Sequence, residues 1–166
     1  MPDDRLYQCA VKTLQICEAS QVMLATVESC TGGLIAASLT EIPGSSAVVE
    51  AGLVTYSNAA KTRLAGVPES LIHRHGAVSR AVAIAMAEGG LSRSAADVAV
   101  SVTGIAGPGG GSPEKPVGTV HLACAVNGSE TRHLVRNYGA IGRSEIRTRT
   151  ALDAMALVQS CLSGAS

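Results

Sequence analysis

The residues at positions 28–33 read Glu-Ser-Cys-Thr-Gly-Gly, between an apolar run and a helix-like run. A strand that ends where a helix begins exposes backbone N–H groups and the positive end of the helix dipole, which suit an anion or a developing oxyanion. Ser29 could act there as a nucleophile if a base and an oxyanion hole accompany it. Cys30 is a rival nucleophile, because a helix N-terminus lowers the pKa of a thiol. By itself, however, such a hexapeptide more often places Ser29 and Thr31 as helix caps.

A possible base stands in the stretch 56–61, which reads Tyr-Ser-Asn-Ala-Ala-Lys. Asn58 is a plausible helix cap, which puts Lys61 in the first helical turn near the mouth of the loop. A lysine acts as a base only if burial or a nearby cation lowers its pKa enough to leave it neutral. Tyr56 could relay a proton or orient the lysine. From spacing alone, a surface lysine beside a half-buried tyrosine is the simpler interpretation.

The third unusual stretch is 104–113, where five glycines and two prolines occur within ten residues. Successive N–H groups in such a turn can form a nest that holds an anion. The stretch is not a Walker loop or a dinucleotide fingerprint, because no Gly-Lys-Ser/Thr ends it and a strand follows it. Since prolines limit the freedom of the chain, a rigid substrate-binding loop is at least as plausible as a flexible connection.

Three arginines, at positions 143, 147 and 149, crowd the start of the last predicted helix. Positive charge is unfavourable at a helix N-terminus, so a phosphate partner is one possible reason for them. A solvated helix face is the simpler alternative.

The composition limits the classes of function. The chain has 166 residues, of which 46% are hydrophobic and 16% charged, so we expect one folded domain over 1–166. Three Tyr without Phe or Trp disfavour stacking on single-stranded nucleic acid. Because 13 basic residues balance 13 acidic ones, we expect neither DNA nor an anionic membrane as a partner.

The cysteines indicate a reducing compartment. Five cysteines form an odd set without a Cys-x-x-Cys motif, which argues against a disulfide framework and a zinc ribbon. No His, Cys and Asp cluster has metal-ligand spacing, so we expect no metal. The acidic start Met-Pro-Asp-Asp is unlike a signal peptide, and no apolar run approaches membrane-spanning length. We therefore expect a cytoplasmic protein.

Apolar periodicity indicates the elements that position these loops. It predicts helices at 3–20, 31–41, 58–65, 78–94 and 144–162, with a further helical turn from Pro68. It predicts strands at 21–27, 47–57, 97–103, 117–126 and 130–136, the last two forming a hairpin around Asn127-Gly128. This order predicts an α/β fold, a three-layer sandwich with a mixed, mostly parallel sheet. The loops 28–33, 56–61 and 104–116 then lie together at the carboxyl ends of the strands.

With these loops in view, the chain resembles the CinA C-terminal-domain family, the nicotinamide-nucleotide amidases. The resemblance runs from about residue 5 to the end. Its segments are Glu-Ser-Cys-Thr-Gly-Gly at 28–33, Pro-Gly-Ser-Ser at 43–46, Tyr-Ser-Asn at 56–58 with Lys61, His-Gly-Ala-Val-Ser at 75–79, Thr-Gly-Ile-Ala-Gly-Pro-Gly-Gly-Gly at 103–111 and Pro-Glu-Lys-Pro-Val-Gly-Thr-Val at 113–120.

The resemblance implies a three-layer α/β/α fold with a five-stranded mixed sheet. It also implies hydrolysis of nicotinamide mononucleotide to nicotinate mononucleotide and ammonia, without a metal or cofactor. The family's serine nucleophile falls on Ser29, and its lysine and tyrosine fall on Lys61 and Tyr56. We expect the N–H groups of residues 30–33 to hold the oxyanion and Thr31 to cap the helix.

The substrate is expected to contact the loops around this centre, with the glycine-rich loop holding ribose or phosphate. The predicted substrate-binding residues are Cys30, Thr31, Gly32, Gly33, Asn58, Thr103, Gly104, Gly109, Gly110 and Gly111. The alternative is a non-catalytic nucleotide-binding or regulatory module, which needs no neutral lysine. Lys61 in solvent, far from Ser29, would favour that alternative. Small Ala-rich helices would pack well between copies, so we also expect a homo-oligomer.

Overall fold

The computed structural model describes residues 3–164, so Met1 and Pro2, which contribute to the acidic start, lie outside the described residues. Helices and strands alternate along the chain. Their bounds are α1 Asp4–Ala19, β1 Leu24–Glu28, α2 Leu34–Thr40, a 3-10 turn Ser45–Ala47, β2 Val49–Val54, α3 Asn58–Ala65, α4 Glu69–His75, α5 Arg80–Ser92, β3 Val98–Gly104, β4 Thr119–Val126, β5 Arg132–Asn137 and α6 Arg143–Leu162.

The five strands form one sheet in the order β2-β1-β3-β4-β5. β1 is parallel to both of its neighbours, whereas β4 is antiparallel to both of its own. Four strands therefore point in one direction and β4 points in the other, which confirms the mixed, mostly parallel sheet. The β4–β5 hairpin turns at Asn127 and Gly128, as predicted.

Helices cover both faces of the sheet, which confirms the three-layer architecture. α1, α2 and α6 pack on one face over a cluster that includes Leu14, Ile35 and Met155. α3, α4 and α5 pack on the other face over a smaller cluster that includes Val67 and Met86. Strands β1 and β3 are buried almost throughout, because they lie between these two layers.

The α5 layer comes very close to its neighbours because its contact residues are small. Ala83 and Ala87 of α5 pack against alanines of β4. A Cβ atom on Gly89 would lie 1.6 Å from the carbonyl oxygen of Ala65 in α3. In a chain without Phe or Trp, the layers are thus held together by close contact between small side chains.

Helix α2 begins three residues later than predicted. Gly32 and Gly33 adopt left-handed φ angles of +60° and +100°, so the chain turns before it becomes helical at Leu34. The first strand also begins later than predicted, at Leu24. Within residues 3–164, the structure has no helix with the length and apolar character needed to cross a bilayer.

Candidate active site

The three predicted loops meet at one edge of the sheet. β1 ends at Glu28, which pairs with Val54 of β2 on one side and with Val102 of β3 on the other. Because these strands are parallel, the segments that follow them leave the sheet at the same edge. The hexapeptide 28–33 therefore lies between the segment that leads to Lys61 and the glycine-rich loop.

Ser29 and Lys61 contact each other through their side chains. Lys61 Nζ lies 2.9 Å from Ser29 Oγ and 2.8 Å from the carbonyl oxygen of Thr55. Only 1% of Lys61 and 8% of Ser29 is exposed. Helix α3 carries Lys61 in its first turn, and its N-cap is Ser57, whose hydroxyl accepts from the Ala60 N–H. The prediction that Asn58 caps this helix is therefore wrong, because Asn58 is the first residue of α3.

The surroundings of Lys61 favour its neutral form. Burial lowers the pKa of this amine below its ordinary value of 10.5, because an ammonium loses its hydration there. No carboxylate forms an ion pair with Lys61 in the described part of the chain. A neutral Lys61 amine can donate one hydrogen bond to the Thr55 carbonyl and accept one from the Ser29 hydroxyl. This geometry suits a general base that removes the serine proton.

Cys30 lacks the features of an activated thiol. It is 6% exposed, and burial raises its pKa to about 11. The expectation that the helix N-terminus would lower this pKa is therefore wrong, because desolvation of the thiolate outweighs the helix dipole. At neutral pH the Cys30 thiol stays protonated, and its neighbour Ser29 is the better-supported nucleophile.

The carboxylate of Glu28 occupies the start of α2, and sequence reasoning missed this role. Its Oε2 accepts from the Thr31 hydroxyl at 2.6 Å, from the Gly33 N–H at 3.1 Å and from the Ile35 N–H at 3.0 Å. Its Oε1 accepts from the Ala36 N–H at 2.9 Å. Thr31 donates to this carboxylate instead of accepting from helix N–H groups, so its predicted role as the helix cap is wrong.

Glu28 also narrows the set of possible oxyanion donors. Of the four predicted amides, Gly33 donates to Glu28, and Gly32 donates to the Ser29 carbonyl oxygen at 3.0 Å. The N–H groups of Cys30 and Thr31 donate to no other residue between positions 3 and 164. These two amides follow Ser29 directly, so they remain the candidates for an oxyanion hole.

Two arginines of α6 hold the loops around the site. Arg147 Nη2 donates to the Thr31 carbonyl oxygen at 2.8 Å, which ties the hexapeptide to α6. Arg143 Nη1 donates to the Gly107 carbonyl oxygen at 2.8 Å, and its Nη2 donates to the Tyr56 hydroxyl at 2.9 Å. Positions 143 and 147 are one helical turn apart, which was the sequence signal for a shared face.

Arg149 matches the simpler alternative of a solvated helix face, whereas Tyr56 has no contact among the described side chains that fits its predicted part in proton transfer. Arg149 makes an exposed ion pair with Glu145 of its own helix, so it belongs to the solvated face. Tyr56 is 59% exposed, and its hydroxyl contacts Arg143. No hydrogen bond joins Tyr56 to Ser29 or Lys61 among residues 3–164. The predicted proton relay through Tyr56 therefore has no hydrogen-bonded connection in this structure.

The predicted substrate-binding residues outside the hexapeptide divide into two groups. Thr103 and Gly104 serve the fold: the Thr103 hydroxyl donates to the Ala77 carbonyl oxygen, and a Cβ on Gly104 would lie 2.6 Å from a methyl group of Val120. Asn58 is exposed at the start of α3, on the same side as the loops.

The glycine-rich loop is exposed at its tip and closed at its base. Gly109, Gly110 and Gly111 are all exposed. At the base, the Ile105 N–H donates to the Thr119 carbonyl oxygen, and the Ile105 carbonyl oxygen accepts from the Gly118 N–H. Further along, Lys115 Nζ donates to the His75 carbonyl oxygen at 2.9 Å, which ties the loop to the end of α4. These bonds agree with a rigid loop.

Metal-assisted chemistry has no ligand set in the region described: between positions 3 and 164, no group of three or more His, Cys, Asp or Glu side chains could hold a metal ion. The arrangement offers a serine, a buried amine and the Cys30 and Thr31 amides, which donate to no other described residue; together these groups suit acyl transfer.

Comparisons with known proteins agree with this fold. A family model described as the CinA C-terminal domain matches residues 6–162. A CinA-like protein of Akkermansia muciniphila is 62% identical over 119 residues, which is 70% of this chain and 29% of that protein. A CinA-like protein of Mycolicibacterium vanbaalenii is 56% identical over 142 residues, which is 85% of this chain and 33% of that protein. The chain thus spans about a third of the length of these curated relatives or less.

Two solved structures extend the likeness over nearly the whole chain. The competence/damage inducible protein CihA from Agrobacterium tumefaciens superposes with a TM-score of 0.93 at 48% identity, over 98% of both chains. A CinA superfamily protein from Escherichia coli superposes with a TM-score of 0.88 at 32% identity, over 96% of this chain and 92% of that one. From the match over residues 6–162, the chain belongs to the CinA C-terminal domain family.

Proposed function

We propose that the protein hydrolyses the carboxamide of nicotinamide mononucleotide to nicotinate mononucleotide and ammonia. One observation carries the proposal: the buried Lys61 Nζ lies 2.9 Å from Ser29 Oγ, beside the Cys30 and Thr31 amides, which donate to no other residue between positions 3 and 164. A lysine with a lowered pKa and no carboxylate partner is suited to accept a proton from a serine. The choice of this amide as substrate rests on the resemblance to the nicotinamide-nucleotide amidases.

In the first half of the reaction, neutral Lys61 takes the hydroxyl proton of Ser29 while Oγ attacks the amide carbon. The amide oxygen becomes an oxyanion, which the N–H groups of Cys30 and Thr31 stabilise. The Lys61 ammonium then returns its proton to the departing nitrogen. Ammonia leaves, and an ester joins the nicotinoyl group to Ser29.

In the second half, Lys61 takes a proton from water, and the resulting hydroxide attacks the ester carbon at the same oxyanion site. Lys61 then gives the proton to Ser29 Oγ as the ester bond breaks. The product acid gives its proton to the solvent and leaves as a carboxylate, and Lys61 is again neutral. The exposed glycines at 109–111 and the adjacent Arg143 guanidinium face the anionic part of the nucleotide in this proposal.

The competing function is a non-catalytic nucleotide-binding or regulatory module. Such a module has no use for a neutral amine beside a serine hydroxyl. The burial of Lys61 costs free energy that a surface lysine would avoid, and a catalytic base explains this cost. The position of Lys61 therefore supports the enzyme over the binding module.

The direct test measures ammonia release from nicotinamide mononucleotide. We expect Ser29→Ala and Lys61→Met to lower kcat by roughly a hundredfold to ten-thousandfold, as loss of a nucleophile or base does. Lys12→Met is the matched control, because it makes the same substitution at an exposed lysine of α1. Cys30→Ala should retain activity, since its thiol stays protonated. Wild-type turnover in Ser29→Ala or Lys61→Met would refute the dyad.

The variant Tyr56→Phe tests the role of Tyr56, because it removes the hydroxyl that contacts Arg143. If Tyr56 acts only by holding Arg143 at the mouth of the site, KM rises and the pH profile of kcat stays unchanged. A drop in kcat with a shifted pH profile would show instead that the tyrosine takes part in proton transfer.

A further inference from the structure

A series of hydrogen bonds leads from α6 to the amide that follows Ser29. Arg147 Nη2 donates to the Thr31 carbonyl oxygen at 2.8 Å. On the other side of that peptide group, the Gly32 N–H donates to the Ser29 carbonyl oxygen at 3.0 Å. The peptide group that contains the Ser29 carbonyl also contains the Cys30 N–H, one of the two candidate oxyanion donors. Two peptide groups therefore connect the Arg147 guanidinium to this amide.

Each hydrogen bond in this series strengthens the next one. When a carbonyl oxygen accepts a hydrogen bond, its peptide group becomes more polar and its N–H becomes a better donor. The Thr31 carbonyl oxygen accepts twice, from Arg147 and from the Leu34 N–H at 3.2 Å. Of these two donors, Arg147 is the charged one, and charge-assisted hydrogen bonds are roughly twice as strong as neutral ones. The guanidinium thus makes the Cys30 N–H a stronger donor.

No carboxylate neutralises the charge of Arg147. None of the ion pairs among residues 3–164 includes it, whereas Arg149 on the same helix pairs with Glu145. Arg147 is half-buried, and its Nε is buried without a hydrogen-bond partner in the described structure. A cation in such a place costs free energy. Stabilisation of a negative charge that develops during a reaction explains this cost.

The Glu28 carboxylate makes a cation on this turn more necessary. Glu28 directly precedes Ser29 and is fully buried, so its negative charge disfavours an oxyanion beside the same turn. The two charges act in opposite directions on the neighbouring Cys30 thiol, whose pKa Glu28 raises and Arg147 lowers. Arg147 therefore offsets the effect of Glu28 at the residue that carries the oxyanion donor.

We propose that Arg147 is a positioning residue of the oxyanion hole, acting on the Cys30 N–H through two hydrogen-bonded peptide groups. Arg147 makes no hydrogen bond to Ser29 Oγ or Lys61 Nζ in the region that the structure describes. The proposal rests on the proposed function only in that Ser29 attacks a carbonyl carbon, whichever substrate supplies it. Because the oxyanion forms only after that attack, Arg147 lowers the barrier without strengthening the binding of the substrate.

Three substitutions of Arg147 separate its charge from its hydrogen bond. Arg147→Lys keeps the charge, Arg147→Gln keeps a neutral donor, and Arg147→Met keeps neither. In Arg147→Met, kcat for ammonia release from nicotinamide mononucleotide should fall about tenfold, less than the roughly hundredfold loss on removal of a direct oxyanion donor, and KM should stay unchanged. Arg147→Gln should lose nearly as much, and Arg147→Lys should retain most of the activity. Arg149→Met is the matched control, because Arg149 is exposed on the same helix.

The amide proton of Cys30 reports this polarisation without any substrate. In proton–nitrogen correlation spectra, we expect its resonance to move upfield in Arg147→Met and Arg147→Gln, because a less polarised N–H is more shielded. The resonance should stay in place in Arg147→Lys and Arg149→Met. A purely structural role would instead shift the amides of the whole hexapeptide in all three Arg147 variants and raise KM.

The proposal would be overturned by an unmoved Cys30 amide proton in Arg147→Met, or by a kcat equal to that of Arg149→Met. Equal losses of kcat in Arg147→Lys and Arg147→Met would overturn it as well, since the charge would then have no effect. If Arg147→Met does not fold, the comparison of the Lys and Gln variants decides the same question.

Failure of the proposed substrate gives a different result. In that case the unmodified protein releases no ammonia from nicotinamide mononucleotide. The rate at which p-nitrophenyl acetate acetylates Ser29, read from the mass of the protein, then replaces kcat. The same order of variants is expected, and an acetylation rate in Arg147→Met equal to that in Arg149→Met would contradict the role of Arg147.

Discussion

Removal of the Glu28 carboxylate should destabilise the protein strongly, because this buried group organises the turn that presents Ser29. Glu28 is fully buried and accepts hydrogen bonds from one hydroxyl and three backbone amides. The matched substitutions Glu28→Gln and Glu28→Ala separate the charge from the shape. Gln keeps the side-chain volume and one carbonyl oxygen, whereas Ala removes every acceptor.

The magnitude follows from the two carboxylate oxygens. In Glu28→Gln, the amide oxygen can replace Oε2 and keep the bonds from Thr31, Gly33 and Ile35. The amide NH2 then faces the Ala36 N–H, so one charge-assisted bond is lost, at about 2 kcal/mol. In Glu28→Ala, the Ile35 N–H and the Thr31 hydroxyl are buried without an acceptor, while water can reach the half-buried Gly33 and Ala36. Two unsatisfied groups and the lost bonds together cost about 4 kcal/mol.

The assay is urea denaturation followed by circular dichroism, with the free energy of unfolding compared at neutral pH. Glu50→Gln and Glu50→Ala serve as controls, because Glu50 is exposed on the edge strand β2 and each change should stay within about 0.5 kcal/mol. Equal losses for Glu28→Gln and Glu28→Ala, or a loss below about 1 kcal/mol for Glu28→Ala, would refute this account of the turn.

Three further results are expected. Because burial lowers the pKa of Lys61, the unfolded chain binds more protons than the folded chain at pH values between that pKa and 10.5. The free energy of unfolding should therefore rise with pH across this window, and Lys61→Met should remove the rise. An unchanged pH dependence in Lys61→Met would contradict this account. Iodoacetamide at neutral pH should modify Cys161 much faster than Cys30, whose pKa is raised to about 11; mass spectrometry of the folded protein measures both rates, and equal rates would count against the burial argument. Gly89→Ala should cost at least about 3 kcal/mol, because its Cβ would overlap a backbone oxygen of α3, whereas Gly109→Ala meets no atom within 4 Å and should be neutral; the same urea assay decides.

Local signals predicted much of the fold. Ser79 precedes α5, and its hydroxyl accepts from the Val82 N–H, as a serine at the start of a helix commonly does. The Asn-Gly pair at 127–128 marked the hairpin, and the bounds of α3 agree with its prediction. Each of these features depends on residues within one helical turn or one loop, so neighbouring residue types determine it.

The sequence placed Ser29 and Lys61 in the candidate site, but it did not reveal the role of Glu28. Ser29 and Lys61 were expected to meet, and they do. Glu28, the cap of α2, escaped prediction because its carboxylate reaches amides five to eight residues ahead, across a turn shaped by left-handed glycines. The sequence signal for this role of Glu28 was Thr31, whose hydroxyl lies three residues ahead and donates to the carboxylate. The links from α6 to the loops join residues between 36 and 116 positions apart, which no local pattern encodes.

By itself the sequence determined the alternation of helices and strands, the mostly parallel sheet and the three loops at its carboxyl edge. These follow from apolar periodicity, caps and turns, which are short-range properties. Only the tertiary structure decided the chemistry: that Lys61 is buried, that the Cys30 thiol is protonated, and that two of the four amides are already bonded. Desolvation and hydrogen bonding set the protonation state and availability of a group, and both depend on what the rest of the chain packs around it.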